Sequence, residues 1–284
     1  MNPTVDRQRI VVGYDASAGS LAAVDWAAAE AERAGAQLQI VNAYRQVWPG
    51  AYYDIAPELA EAAYRQAETL VGDAVARVRG RGTGIDVVAT AVDALPAATL
   101  LDLGAAGARL LVVGNRGAGG LANLVLGSVS QQVATHARVP VAVVRGRGDA
   151  AGGPVVAGTD DSPGADAALA LAFEAARARG AGLVAIRAYV PPIRPLLPYS
   201  AIEAQERAAL EASVAGWAGK YPDVAVETRV AVGRAAKVLI GASHTAQLVV
   251  VGSRGHGGFT GLLLGSVGQQ LMHHAECPVL IGHA

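Results

Sequence analysis

Short unbroken runs of branched aliphatic residues recur along this chain, separated by longer alanine-rich stretches whose apolar positions fall at helical spacing. In the first half the runs lie near residues 9–14, 37–43, 85–91, 109–114 and 140–145, which predicts about five strands. Runs without polar alternation predict strands buried on both faces, as in a parallel sheet. Between them, LAAVDWAAAEAERAG (residues 21–35) reads as a helix ending on a glycine C-cap at Gly35. Strands alternating with helices predict an α/β architecture with helices on both faces of the sheet. Ligands of such sheets sit at the carboxyl ends of the strands, beside the topological switch point.

The pattern occurs twice. IVVGYDAS (10–17) is answered by PVVAGTDDS (154–162), LQIVNAY (38–44) by LVAIRAY (183–189), GNRGAGGLANLVLGS (114–128) by GSRGHGGFTGLLLGS (252–266), and RVPVAVV (138–144) by ECPVLIG (276–282). Four matched stations in one order describe a tandem duplication. The glycine- and charge-rich stretch RGRGDAAGG (145–153) has the composition of an exposed linker, so the predicted domains are 1–147 and 152–284. The first copy is longer between its aspartate and its glycine motif. WPGAYYDIAP (48–57) and PPIRPLLPYS (191–200), both rich in turn formers, are placed to absorb the difference.

Composition removes several classes. Of 284 residues 52% are hydrophobic and 17% charged, enough apolar material for substantial cores, and the net charge of −1 gives no basic footprint for nucleic acid. No apolar run approaches the roughly 18 residues of a membrane span. The polar start MNPTVDRQR and the single cysteine, Cys277, point to a cytoplasmic protein without disulfides.

Each glycine motif reads Gly-x-x-Gly, nine residues, Gly-Ser: Gly114, Gly117, Gly127 and Ser128, then Gly252, Gly255, Gly265 and Ser266. The first pair shapes a turn that a ligand can approach closely, and the closing Gly-Ser opens a helix. Ser128 with Gln131, and Ser266 with Gln269, have capping-box spacing, so helix capping alone is one reading of the serines. The other is a polyphosphate cradle made by the glycine turn and the helix N-terminus, with Arg116 and Arg254 adding charge or simply solvated. Asp15 and Asp160 follow the first strand of each copy. Ser17 and Ser162 are the better N-caps, Ser162 because Pro163 follows it, which leaves the aspartates for ligand hydroxyls such as those of a ribose. A Walker loop is excluded because it needs Gly-Lys-Ser/Thr: Gly219-Lys220 is followed by Tyr221, and Lys237 follows Ala236. The dinucleotide fingerprint fails because the first turn reads GYDASAG or GTDDSPG.

On these residues the chain resembles the universal stress protein family, in its ATP-binding branch and tandem two-domain form. The resemblance covers nearly the whole sequence. It implies two Rossmann-like domains of the adenine nucleotide alpha hydrolase-like type, each a five-stranded parallel sheet of order 3-2-1-4-5 binding one ATP, with Mg²⁺ accompanying it. Asp15 and Asp160 would then lie near ribose or adenine, and the backbone at Val41 and Ile186 would flank the adenine. Gly114, Arg116, Gly117, Gly127, Ser128 and Val129 would surround ribose and phosphates in the first domain, and Gly252, Arg254, Gly255, Gly265, Ser266 and Val267 in the second. Asn115 against Ser253, and Ala118 against His256, are the departures between copies. The resemblance also implies pairing through the last strands, within one chain or as a homodimer, and a stress-adaptation role with an unidentified protein partner.

No residue is assigned to catalysis or to a metal. The histidines at 136, 244, 256, 273, 274 and 283 lack partner ligands at metal spacing, and Cys277, before Pro278 at a strand entry, reads as structural. Three functions stay open: a regulatory ATP-binding protein, an enzyme hydrolysing ATP or activating a substrate with it, and a nucleotide-free scaffold. The substrate-activating enzymes of this fold carry His-x-Gly-His or Ser-Gly-Gly-x-Asp-Ser loops, and GHGGF and DASAGS match them poorly.

Overall fold

The structure, a computed structural model, describes residues 9–45, 56–117, 126–148, 152–255 and 264–283. The chain divides into two compact units, Met1–Val144 and Arg145–Ala284. In the first, the strands β1 (Arg9–Gly13), β2 (Gln37–Tyr44), β3 (Val87–Asp93), β4 (Leu110–Gly114) and β5 (Val141–Val144) alternate with the helices α1 (Ala18–Ala34), α2 (Ala56–Arg79), α3 (Pro96–Ala105) and α4 (Ser128–His136). The strands stand in the order β3-β2-β1-β4-β5. All are parallel, with Val12 opposite Ile40 and Val112.

The second unit repeats this with β6 (Val155–Gly158), β7 (Leu183–Tyr189), β8 (Val226–Val232), β9 (Leu248–Gly252) and β10 (Val279–Gly282). Its helices are α5 (Pro163–Arg179), α6 (Tyr199–Lys220), α7 (Ala235–Ser243) and α8 (Ser266–His274). Its order, β8-β7-β6-β9-β10, is again 3-2-1-4-5 within the unit, as expected. In each unit the first two helices pack together on the sheet, and the last two pack together as well, so the layers are helix, sheet, helix.

The cores follow from residue choice. Val11, Val12, Leu38, Ile40, Leu111 and Val112 are buried in the first sheet, covered by an alanine face of α1 made of Ala23, Ala27, Ala28 and Ala31. Small side chains at that spacing let the helix backbone lie close to the strands. Ser17 caps α1 by accepting from the Ser20 N–H, and Gly35 ends it at φ 58°. Ser162 accepts from the Ala165 N–H, Pro163 takes the first turn, and Gly180 ends α5 at φ 59°. The length difference between copies falls mainly between their second and third strands, from Tyr44 to Val87 and from Tyr189 to Val226. Residues 48–55 of WPGAYYDIAP lie outside the described residues.

The described residues of the stretch between the copies are exposed or half-buried, and its two arginines are anchored. Its described residues belong to the second unit. The Arg145 guanidinium donates to the carbonyls of Leu271 and Met272 in α8, and that of Arg147 to the carbonyls of Ser243, His244 and Ala246 at the end of α7. Helix C-termini expose acceptors and partial negative charge, so two arginines there are well placed. Gly146, at φ 57°, lies where a β-carbon would strike the Glu276 carbonyl. Among the described residues no helix is long and apolar enough to cross a membrane.

Candidate functional site

Each unit carries one cleft at the carboxyl ends of its first and fourth strands, where the strand order reverses. The first encloses about 350 Å³ and the second about 410 Å³. Asp15, Val41, Gly114, Arg116, Gly117, Gly127, Ser128 and Val129 all line the first. Asp160, Ile186, Gly252, Arg254, Gly255, Gly265, Ser266 and Val267 all line the second. Ala118 and His256 lie outside the described residues, as does the middle of each glycine motif.

The glycines have two different origins. A β-carbon on Gly114 would sit 2.5 Å from the backbone of Gly19, and one on Gly252 would sit 2.5 Å from that of Gly164. On Gly117 it would meet Asp15 Oδ2 at 2.4 Å, and on Gly255 it would meet Asp160 Oδ2 at 2.3 Å. Gly114 and Gly252 are therefore required by the protein itself, because the turn is pressed onto the backbone of the first helix of its unit, whereas Gly117 and Gly255 leave room for the carboxylate tip of the aspartate. Gly127 and Gly265 differ. Their φ values, −74° and −71°, suit any residue, and a β-carbon on either meets nothing nearer than 3.5 Å. Both face the cleft at the mouth of a helix, so the space a side chain would fill is left to the cleft.

The closing serines do not cap. Gly127 and Gly265 occupy the N-cap positions, with no side-chain capping hydrogen bond, and Ser128 and Ser266 are the first helical residues. The capping-box expectation is thus corrected. The Gly127 N–H is drawn back to the Asn115 carbonyl at 2.8 Å, and the Gly265 N–H to the Ser253 carbonyl at 2.7 Å. This closes the loop on itself, and each helix starts one residue earlier than the capping-box reading suggests. A helix N-terminus without a side-chain cap directs amide N–H groups and about half a positive charge toward the cleft.

The aspartates line the clefts and are also tied to the serine caps. They are not left over by the serine caps but are joined to them: Asp15 Oδ1 accepts from Ser17 Oγ at 2.6 Å and from the Ser17 N–H at 3.1 Å. Asp160 Oδ1 does the same with Ser162, at 2.6 and 3.2 Å. The carbonyls of Arg116 and Arg254 stand 3.2 and 3.3 Å from the same hydroxyls, as the weaker, alternative acceptors of their single proton. One network thus ties aspartate, helix cap and glycine turn together. The Arg116 and Arg254 guanidinium groups are exposed at the rim, and among the described residues neither takes part in a salt bridge. The carbonyls of Val41 and Ile186 accept from the N–H groups of Tyr14 and Thr159, which fixes the second strand against the aspartate turn.

Several lining residues escaped the sequence reading. Leu100 and Pro96 of α3 and Ala43 of β2 line the first cleft, and Leu239, Ala235 and Ala188 line the second, giving each an apolar wall. Gly13 and Gly158 make room for the two leucines, at 3.0 and 2.6 Å from a built β-carbon. Their only signal was the repeat itself: counted from the third strand, Leu100 pairs with Leu239, and counted from the aspartates, Gly19 pairs with Gly164. Burial, then the Asp73 and Asp15 carboxylates, raise the Tyr14 phenol, which keeps it protonated near neutrality. Among the described residues no group of three or more histidine, cysteine, aspartate or glutamate side chains is gathered as a metal cluster would need.

Comparison with known proteins agrees with this arrangement. The model of the universal stress protein family matches twice, over residues 6–145 and 153–283. A universal stress protein of Mycolicibacterium smegmatis is 38% identical over 96% of both chains, and one of Mycobacterium tuberculosis is 36% identical over the same shares. The crystal structure of a universal stress protein from Archaeoglobus fulgidus superposes with a TM-score of 0.70 at 18% identity, over 97% of this chain and 98% of the other, a likeness of fold. With the family model matching across both halves and relatives of this identity over nearly the full length, the chain belongs to the universal stress protein family.

Proposed function

We propose that the chain is a regulatory ATP-binding protein of stress adaptation, with one adenine nucleotide site in each unit and Mg²⁺ arriving with the nucleotide. The observation that carries this reading is the pair Gly127 and Gly265. No contact or backbone angle demands glycine there, and serine, aspartate or asparagine would cap the helix better, yet both copies place one at an uncapped helix N-terminus facing a cleft. A phosphate chain that must touch backbone amides supplies the reason. Arg116 and Arg254 add charge, and the apolar walls of Leu100 and Leu239 offer a place for a base. Polar groups and an apolar wall in one cleft match what an adenine nucleotide presents.

A rival reading, a nucleotide-free scaffold, draws on the remaining glycines. Gly114 and Gly252 are pressed against the protein's own backbone and would persist in a fold that binds nothing. Mass spectrometry of small molecules released from the purified chain, followed by titration with Mg-ATP, separates the two. Adenine nucleotide recovered or saturably rebound supports the proposal. Repeated failure to recover or titrate any adenine nucleotide removes it. No side chain in either cleft has been assigned as a nucleophile or base, and release of phosphate, AMP or pyrophosphate at a steady rate would move the reading to an enzyme.

A further inference from the structure

The two clefts share a lining and the aspartate–serine contacts, but not the contacts around the residue that follows the aspartate. In both, the residue after the aspartate has a left-handed backbone, φ 64° at Ala16 and 61° at Asp161. A residue with a β-carbon keeps that conformation only where its surroundings impose it. In the first unit Ser20 does so. Its buried hydroxyl accepts from the Asp15 N–H at 3.2 Å and donates to the Ser17 carbonyl at 3.0 Å, bridging both sides of Ala16.

The second unit has Ala165 at that place, which can make neither bond. It has an ion pair instead. Arg187 Nη1 stands 2.7 Å from the Asp161 carboxylate and its Nε stands 2.5 Å from that of Glu206 on α6, with the arginine side chain only 14% exposed. The first unit has no such pair: Asn42 replaces Arg187 and donates to the Tyr14 carbonyl, and Ala16 replaces Asp161.

From this exchange of one brace for another we infer that Arg187 is the positioning residue of the second cleft. By holding Asp161 in the left-handed region it sets the neighbouring Asp160 for the ribose hydroxyls of a nucleotide, the task that Ser20 performs for Asp15. The inference rests on the nucleotide reading of the clefts. It makes the two sites independently adjustable, one through a neutral hydrogen bond and the other through a partly buried ion pair.

The test uses the full chain with the first cleft closed by Gly127→Glu, which carries a carboxylate to the phosphate end. Mg-ATP and Mg-2′-deoxy-ATP are titrated by calorimetry, and folding is followed by circular dichroism. In this background Arg187→Met is expected to weaken ATP by about five- to thirtyfold, the factor that one or two kcal/mol of lost turn geometry gives, and to bring the ATP to deoxy-ATP ratio toward one. Adding Ala165→Ser, which installs the first unit's brace, restores affinity and ratio. With the second cleft closed by Gly265→Glu instead, Arg187→Met leaves ATP binding unchanged. Should Arg187→Met unfold the chain, Asp161→Ala replaces it with the same expectations. The inference is overturned if the ratio stays put, if Ala165→Ser restores nothing, or if the first cleft suffers equally. A Gly127→Glu chain that binds no ATP before Arg187 is touched overturns the nucleotide reading itself.

Discussion

Gly114→Ala and Gly127→Ala change the same atoms in one motif, and the structure assigns them opposite consequences. At Gly114 the new methyl meets the Gly19 carbonyl carbon and oxygen at 2.5 Å and the Ser20 nitrogen at 2.8 Å. All three are backbone and cannot rotate away, so α1 or the loop must shift, at a cost of about 1–3 kcal/mol. At Gly127 the nearest atoms, the Gly117 nitrogen and Ser130 Oγ, stand at 3.5 Å. There, two small effects oppose. Alanine is a poorer N-cap than glycine by about 0.5 kcal/mol, while the stiffer unfolded chain returns about 0.4–1 kcal/mol. Net stability should therefore change by less than about 0.5 kcal/mol. Urea unfolding followed by fluorescence and circular dichroism, with the transitions of the two units fitted separately, measures both variants. Mg-ATP titration should then find the first site weakened about tenfold or more by Gly127→Ala, a loss of roughly 1.4 kcal/mol, because the methyl stands where the phosphates need the backbone. If Gly127→Ala costs as much stability as Gly114→Ala, that glycine belongs to the fold and the cradle argument fails.

Other consequences are open to direct measurement. Burial, then the nearby Arg254, hold the His283 imidazole down to about 4 from an ordinary value of 6.5, and its Nε2 has no hydrogen-bond partner. The unfolded chain therefore takes up a proton that the folded one refuses, so stability falls as pH drops from 7 to 5, and His283→Gln should flatten that slope; an unchanged slope refutes the assignment. Cys277 is fully buried, and burial raises its thiol to about 12, so a thiol reagent should leave the native chain untouched and react once after denaturation. Rapid labelling of the native protein would contradict this. Arg147→Ala removes donors from the carbonyls ending α7 and should lower the second unit's stability by about 1 kcal/mol with no effect on the first, as read from the separate transitions.

Much of the fold was legible because its signals are local. Unbroken aliphatic runs gave the strands within two residues, the duplication gave the second unit, and Ser17, Ser162, Gly35 and Gly180 terminate their helices as their residue types suggest. The same signals singled out the aspartates, glycines, serines and arginines, and the family resemblance added Val41, Val129, Ile186 and Val267; all sixteen line two clefts, since a glycine loop behind the fourth strand and an aspartate behind the first converge in this topology. What escaped depends on through-space contact. Ser128 fits a capping box, yet the Asn115 carbonyl captures the Gly127 N–H and moves the helix start. Gly117 looks like a ligand glycine until Asp15 is found beside it. Nothing in sequence spacing joins Arg187 to Asp161, because the pair forms across a strand end and a turn.

The central claim is two adenine nucleotide sites per chain, and equilibrium dialysis against radiolabelled Mg-ATP, at protein concentrations well above the dissociation constant, tests it most directly. The prediction is saturation at about two nucleotides per chain, falling to about one in Gly127→Glu or in Gly265→Glu and to none in the double variant, while circular dichroism stays that of the parent. Saturation that ignores both substitutions, or no uptake by the folded parent chain, would contradict it.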